Sequence, residues 1–75
     1  MVTKWKDGLP IYMQLRDLMA DAIIKGSLCE GDSLPSVRAV AVDMKINPLT
    51  ASKAYQGLVK EGLVEKRRGI GMFVM

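Results

Sequence analysis

The stretch Asn47-Pro48-Leu49-Thr50-Ala51-Ser52-Lys53-Ala54-Tyr55-Gln56 decides the fold, because it reads as the start of a helix with two distinct faces. Asn47 offers a side-chain oxygen to cap the first turn. Pro48 suits the first helical position, where its missing N–H would be an orphan in any case. Ala51, Ala54, Tyr55 and Leu58 fall at i, i+3, i+4 and i+7, an apolar stripe that faces a core. Leu49, Thr50, Ser52, Lys53 and Gln56 lie on the other side, with no carboxylate among them. Such a face suits either plain solvation or a surface of phosphates and base edges, and the helix taken alone leaves both open.

Upstream, Lys45-Ile46-Asn47 is long enough only for a tight turn, with Ile46 plugging the core. Before that turn Val37, Val40, Ala41 and Met44 recur at helical spacing behind Ser36, a good N-cap, which predicts a short helix 2 over residues 36–45. Valine has poor helix propensity, so tertiary packing has to hold this element. Two helices joined in this way have helix-turn-helix spacing. Earlier still, Ile11, Leu15, Leu18, Met19, Ala22 and Ile23 form one stripe and predict helix 1 over residues 10–26. Pro10 is placed at its first position, Asp21 and Lys25 form an i,i+4 pair, and Gly26 ends it. Residues 27–35 read as an extended connection with one short strand near Ser33-Leu34. Residues 1–9 are an N-terminal arm without periodicity, in which Trp5 reads as packing back on helix 1, contact with a partner being the alternative.

Downstream, this helix, helix 3, is expected over residues 47–61 and stops at Gly62, which suits a left-handed C′ position. Leu63-Val64-Glu65-Lys66-Arg67 and Met72-Phe73-Val74 then flank Arg68-Gly69-Ile70-Gly71, two β-prone segments about a glycine-containing turn. They predict a hairpin over residues 63–75. Residues 1–75 are therefore expected to form one domain, mainly α with a small β-hairpin: a winged helix-turn-helix of three helices plus a wing.

Composition narrows the functional classes. A 75-residue chain that is 49% apolar can build a compact core but not a large catalytic cavity. With Cys29 as the single cysteine and no histidine, neither an internal disulfide nor an ordinary zinc site can be assembled. Cys29 itself reads as a passive, partly buried loop residue rather than a redox group. No apolar run approaches a membrane span and the start of the chain has no signal-peptide pattern, so a cytoplasmic protein is expected. The net charge of +3 is unevenly spread, at −1 over residues 1–32 and +4 over residues 33–75. The positive potential thus belongs to the half that contains the helix-turn-helix and the wing.

The order and spacing of several segments resemble the winged-helix DNA-binding domain of GntR-type bacterial transcription regulators, over nearly the whole chain from about Leu9 to Val74. They are Pro10-Ile11-Tyr12, Gly31-Asp32-Ser33-Leu34-Pro35-Ser36-Val37-Arg38, Glu61-Gly62-Leu63-Val64-Glu65 and Arg68-Gly69-Ile70-Gly71-Met72-Phe73-Val74. Asn47-Pro48-Leu49-Thr50 with Ala54-Tyr55 a turn later looks most like the YtrA-like branch. The resemblance implies double-stranded DNA as the partner and no cofactor. It also implies that Ser36 and Arg38 stand where helix 2 meets DNA, that Asn47, Leu49, Thr50, Ser52 and Lys53 enter the major groove, and that Arg68 and Gly69 bring the wing to the minor groove, with Lys66 and Arg67 beside them.

Side-chain chemistry agrees with those roles. Arg38 offers a planar fork for guanine O6 and N7 or for a phosphate pair. Thr50 offers a hydroxyl and a methyl, the start of helix 3 presents free N–H groups to phosphate, and Gly69 lets backbone approach a duplex closely. The alternatives are a surface ion pair of Arg38 with Asp43 and an ordinary solvated tip for Lys66, Arg67 and Arg68.

Three departures from the family pattern matter. Val37 and Ala39 flank Arg38 where many members are acidic, so Ser36 lacks the reciprocal half of a capping box. Lys45 stands where many have a glycine, which implies a left-handed lysine or a wider turn. Pro48 and Ser52 stand where many carry arginine, so base readout is expected to lean on Arg38, Thr50 and Lys53. The sequence also stops at Met75, directly after the wing, where family members continue into a dimerisation region. The expectation is a fragment or minimal form of a regulator, a repressor by preference, with a near-palindromic operator. The full-length protein would be a homodimer, and this chain would dimerise weakly or not at all. A winged helix used for protein contact is the runner-up. An enzyme is disfavoured, since general acid-base or metal chemistry has few candidate groups here.

Overall fold

The computed structural model describes residues 5–75, so residues 1–4 of the N-terminal arm lie outside the described residues. Three helices, α1 (Ile11–Ile24), α2 (Val37–Met44) and α3 (Pro48–Lys60), precede an antiparallel hairpin of β1 (Val64–Arg67) and β2 (Gly71–Val74). This is the winged helix-turn-helix architecture.

α1 begins one residue later than the sequence suggests. Pro10 sits at the capping position, with φ −56° and ψ 139°, and has no side chain with which to cap. Its carbonyl accepts from the N–H groups of Met13 and Gln14. The start of α1 is organised instead by Gln14, whose Oε1 accepts from the Lys6 N–H at 2.8 Å while its Nε2 donates to the carbonyls of Lys6 and Leu9. Residues 6–9 are held against α1 by this side chain, and Trp5 packs on the hydrophobic core. Asp21 and Lys25 form their ion pair at 3.0 Å, and Gly26 follows in the left-handed region.

The apolar stripe expected on α1 is rotated. Leu15 is buried, but Ile11 and Leu18 are exposed, and Tyr12, Met19, Ala20 and Ile23 make the packed face. The periodicity was sound; its centre is decided by where α3 lies, which the helix does not encode by itself.

α2 and α3 have the local chemistry their sequences ask for. The Ser36 hydroxyl accepts from the Ala39 N–H at 3.0 Å, and Asn47 Oδ1 accepts from the Leu49 N–H at 2.8 Å. Lys45 closes α2 in the left-handed conformation, φ 57° and ψ 48°, and the Ile46 N–H reaches back to the Ala41 carbonyl. Gly62 does the same work after α3 at φ 77°, with the Leu63 N–H bonded to the Leu58 carbonyl. Both are Schellman-type endings, and only the first requires a side chain to enter a region that disfavours one. The core consists of Leu15, Leu34, Val40, Ala41, Ala51, Ala54, Tyr55, Leu58, Val64 and Val74.

The hairpin pairs Val64 with Val74, Glu65 with Phe73, Lys66 with Met72 and Arg67 with Gly71. A third segment completes it: Ser33 bridges to Phe73, the Leu34 N–H donates to the Met72 carbonyl at 2.8 Å, and the Val74 N–H donates to the Asp32 carbonyl at 2.9 Å. The backbone that leads into α2 is thereby sewn to β2, which lies between it and β1. The turn before this segment corrects the reading of Cys29, which is exposed, its thiol donating to the Gly26 carbonyl at 3.3 Å. Asp32 holds that turn by accepting from the Cys29 N–H, which leaves the thiol on the surface.

Candidate nucleic-acid interface

α3, the start of α2 and the hairpin converge on one side of the molecule. Between α3 and the wing runs an open groove of about 660 Å³, lined by Ser36 and Val37 from α2, Ser52, Tyr55, Gln56 and Val59 from α3, and Lys66, Arg67 and residues 69–72 from the wing. Five residues singled out in the sequence, Ser36, Ser52, Lys66, Arg67 and Gly69, line this groove together. Tyr55 fixes its floor: the ring is 1% exposed and its hydroxyl donates to the Pro35 carbonyl at 2.6 Å. Burial pushes the Tyr55 hydroxyl up from 10.0 to about 12, so it remains a neutral donor at physiological pH.

The start of α3 stands beside the groove. Asn47 and Leu49 are exposed and Thr50 is half-buried. Asn47 Oδ1 already accepts the Leu49 N–H. The cap uses one lone pair of Asn47 Oδ1 and fixes the orientation of the amide, leaving its NH2 group and the second lone pair as the polar sites it can still offer. Ser52 and Gln56 face the wing, where the Gln56 amide donates to the Ser52 hydroxyl at 3.3 Å, which orients the longer side chain. Lys53 leans the other way, with Nζ 5.4 Å from the centre of the Tyr12 ring on α1.

The wing separates lysine and arginine that the sequence treated alike. Lys66 shares a face with buried Val64 and pairs with Met72, so it borders the groove. Arg67 touches the rim of the groove, but its guanidinium is carried to the opposite face, stacked on the Phe73 ring at 4.5 Å and ion-paired to Glu65 at 3.2 Å. Arg68 is exposed at the tip, followed by Gly69 and Gly71 at φ 80° and 115°. Arg38 is exposed on α2, and among the described residues the ion pairs are Arg16–Asp17, Asp21–Lys25 and Glu65–Arg67, none of which engages it.

Two residues of this surface were missed as sites in the sequence. Gln56 had a signal, since it sits i+4 from Ser52 on the polar face. Ile70, 67% exposed at the wing tip, had none beyond its place between two glycines. Among the described residues no helix is long and apolar enough to cross a membrane.

Comparisons with known proteins identify the family and the fold. The family model "Bacterial regulatory proteins, gntR family" matches residues 11–74. The HTH-type transcriptional repressor YtrA of Bacillus subtilis is 42% identical over 69 residues, which cover 92% of this chain and 53% of YtrA. YhcF, an HTH-type transcriptional regulator from the same organism, is 38% identical over 74 residues, 99% of this chain and 61% of YhcF. The chain therefore spans between half and two thirds of the length of these relatives. Among solved structures, the DNA-binding domain of AraR in complex with operator ORE1 superposes with a TM-score of 0.88 at 25% identity, covering 100% of this chain and 98% of that one.

Proposed function

The chain belongs to the gntR family of bacterial regulatory proteins, a family of transcription regulators rather than enzymes, and on that premise we propose that it is the operator-binding domain of a repressor. The observation that carries this reading is the convergence on one side of the carboxylate-free α3 face, with Ser52 and Gln56, the entry into α2 at Ser36 and Val37, and the basic wing, around a single groove. α3 enters the major groove with Leu49, Thr50 and Ser52 foremost, and Lys53 follows if it leaves the Tyr12 ring. Asn47 serves first as the cap that sets the helix. Arg38 and Ser36 meet a base or the backbone from α2, and Lys66, Arg68 and Gly69 bring the wing to the minor groove. Arg67 acts mainly within the hairpin.

As a homodimer, two such domains would meet half-sites about one helical turn apart, roughly 34–36 Å, on a near-palindromic operator in the cytoplasm. The repressor assignment follows the relative YtrA, which is a repressor. Selection from a random duplex library, followed by affinity measured against salt, tests the reading. Enrichment of related sequences, with affinity falling steeply as salt rises, is the expected result. Association without salt dependence or sequence preference would point to a protein partner instead.

A further inference from the structure

Leu49 is the second residue of α3 and is 75% exposed. Its N–H is held by Asn47 Oδ1, so its backbone is fixed, and it lies outside the hydrophobic cluster. A lone exposed leucine is ordinary on a protein surface. This one occupies the leading end of the helix, where Pro48 has no polar group to offer and the cap holds the Asn47 amide in a fixed orientation. Within α3, Leu49 and Thr50 are the first side chains able to meet a base edge, and Leu49 is the exposed apolar one.

The partner that fits an apolar side chain in a face without carboxylates is narrow in chemistry. The base edges in the major groove present hydrogen-bond donors and acceptors, together with one apolar group, the C5 methyl of thymine. We propose that Leu49 is a specificity-determining residue that packs on a thymine methyl and thereby sets a T·A pair in the half-site. The inference rests on the DNA reading above and adds to it the chemistry of one base position.

The test uses a duplex selected from a random library by the wild-type chain, with its thymines replaced one at a time by deoxyuridine. That replacement removes the methyl and leaves every donor and acceptor in place. One thymine should weaken wild-type binding by about fourfold when replaced, the worth of one buried methyl-sized group. Leu49→Ala should bind the parent duplex more weakly and be indifferent to that same replacement, while Ile24→Ala, equally exposed but on α1, should behave as wild type. If no thymine is sensitive, or if Leu49→Ala keeps the full penalty, the thymine assignment is wrong while the DNA reading stands. If the wild-type chain enriches no duplex, both are overturned.

Discussion

The Tyr55 hydroxyl donates to the Pro35 carbonyl oxygen at 2.6 Å, joining the middle of α3 to the residue that precedes the cap of α2. Tyr55→Phe removes the donor and leaves that carbonyl short of a partner. The expected cost is about 1–2 kcal/mol in chemical denaturation. The loss should also depend on pH. Burial raises the hydroxyl pKa from 10.0 to about 12, so the stabilisation is fully present below pH 10 and fades as pH rises from 10 towards 12. The stability gap between wild type and Tyr55→Phe should therefore narrow across that interval. A gap constant to pH 12 would mean that Tyr55 is not protected from ionisation.

Arg38→Ala should weaken operator binding by about 1–3 kcal/mol. Titration against a panel of single-base variants distinguishes two outcomes. A flattened preference at one position identifies a base contact, and uniform weakening identifies a phosphate contact.

The two wing arginines should behave differently. Arg68→Ala should weaken binding evenly across sequences and lower the steepness of the salt dependence by about 1. Arg67→Ala, which removes the Phe73 stack and the Glu65 pair, should disturb DNA binding less and instead loosen the hairpin, seen as faster amide exchange in β1 and β2. Equal effects on the salt slope would show that Arg67 leaves Phe73 when DNA binds.

Lys45→Gly should stabilise the domain by about 0.5–1 kcal/mol in thermal or chemical melts, because it removes a side chain from a left-handed residue at the end of α2. Destabilisation instead would show that the lysine stem packs to more advantage than its backbone strain costs.

Gly57 lies inside α3 where the stem of Arg16 crosses from α1, and a Cβ there would come within 2.7 Å of Arg16 Cδ. Gly57→Ala in wild type should gain little, as the better helix propensity is offset by displacement of Arg16. In an Arg16→Ala background the same change should stabilise by roughly 0.5–1 kcal/mol. The double-mutant cycle reads the coupling directly; additive effects would show that Arg16 moves aside freely.

What was legible in the sequence was local. Ser36 and Asn47 cap as their types suggest, Gly62 ends α3, and the Ala51–Leu58 stripe is the core of the fold, because each needs only neighbours within one or two turns. What escaped depends on residues far apart in the chain. The face of α1 turned towards Tyr12 because α3 sits there. Gln14 organises the arm through backbone groups five and eight residues away, and no cap signal announces it. On the candidate interface, exposure of Arg38, Leu49 and Arg68 agrees with the sequence reading, but the diversion of Arg67 onto Phe73 needed the strand register. The alternation of β1 already put Lys66 and Arg67 on opposite faces, a signal the sequence held and the residue types obscured.

The link between residues 32–34 and β2 has one more implication, for the shape of the DNA rather than its sequence. The Leu34 and Val74 backbone bonds tie the wing to the segment that enters α2, and Tyr55 ties that segment to α3. The base of the wing and α3 are thus held like the two arms of a caliper, at a spacing set before any duplex arrives. On the proposed placement of the wing, a site whose minor groove does not match that spacing would bind at the cost of deforming the DNA. Bases that no side chain touches would then govern affinity through how readily they let the groove adjust.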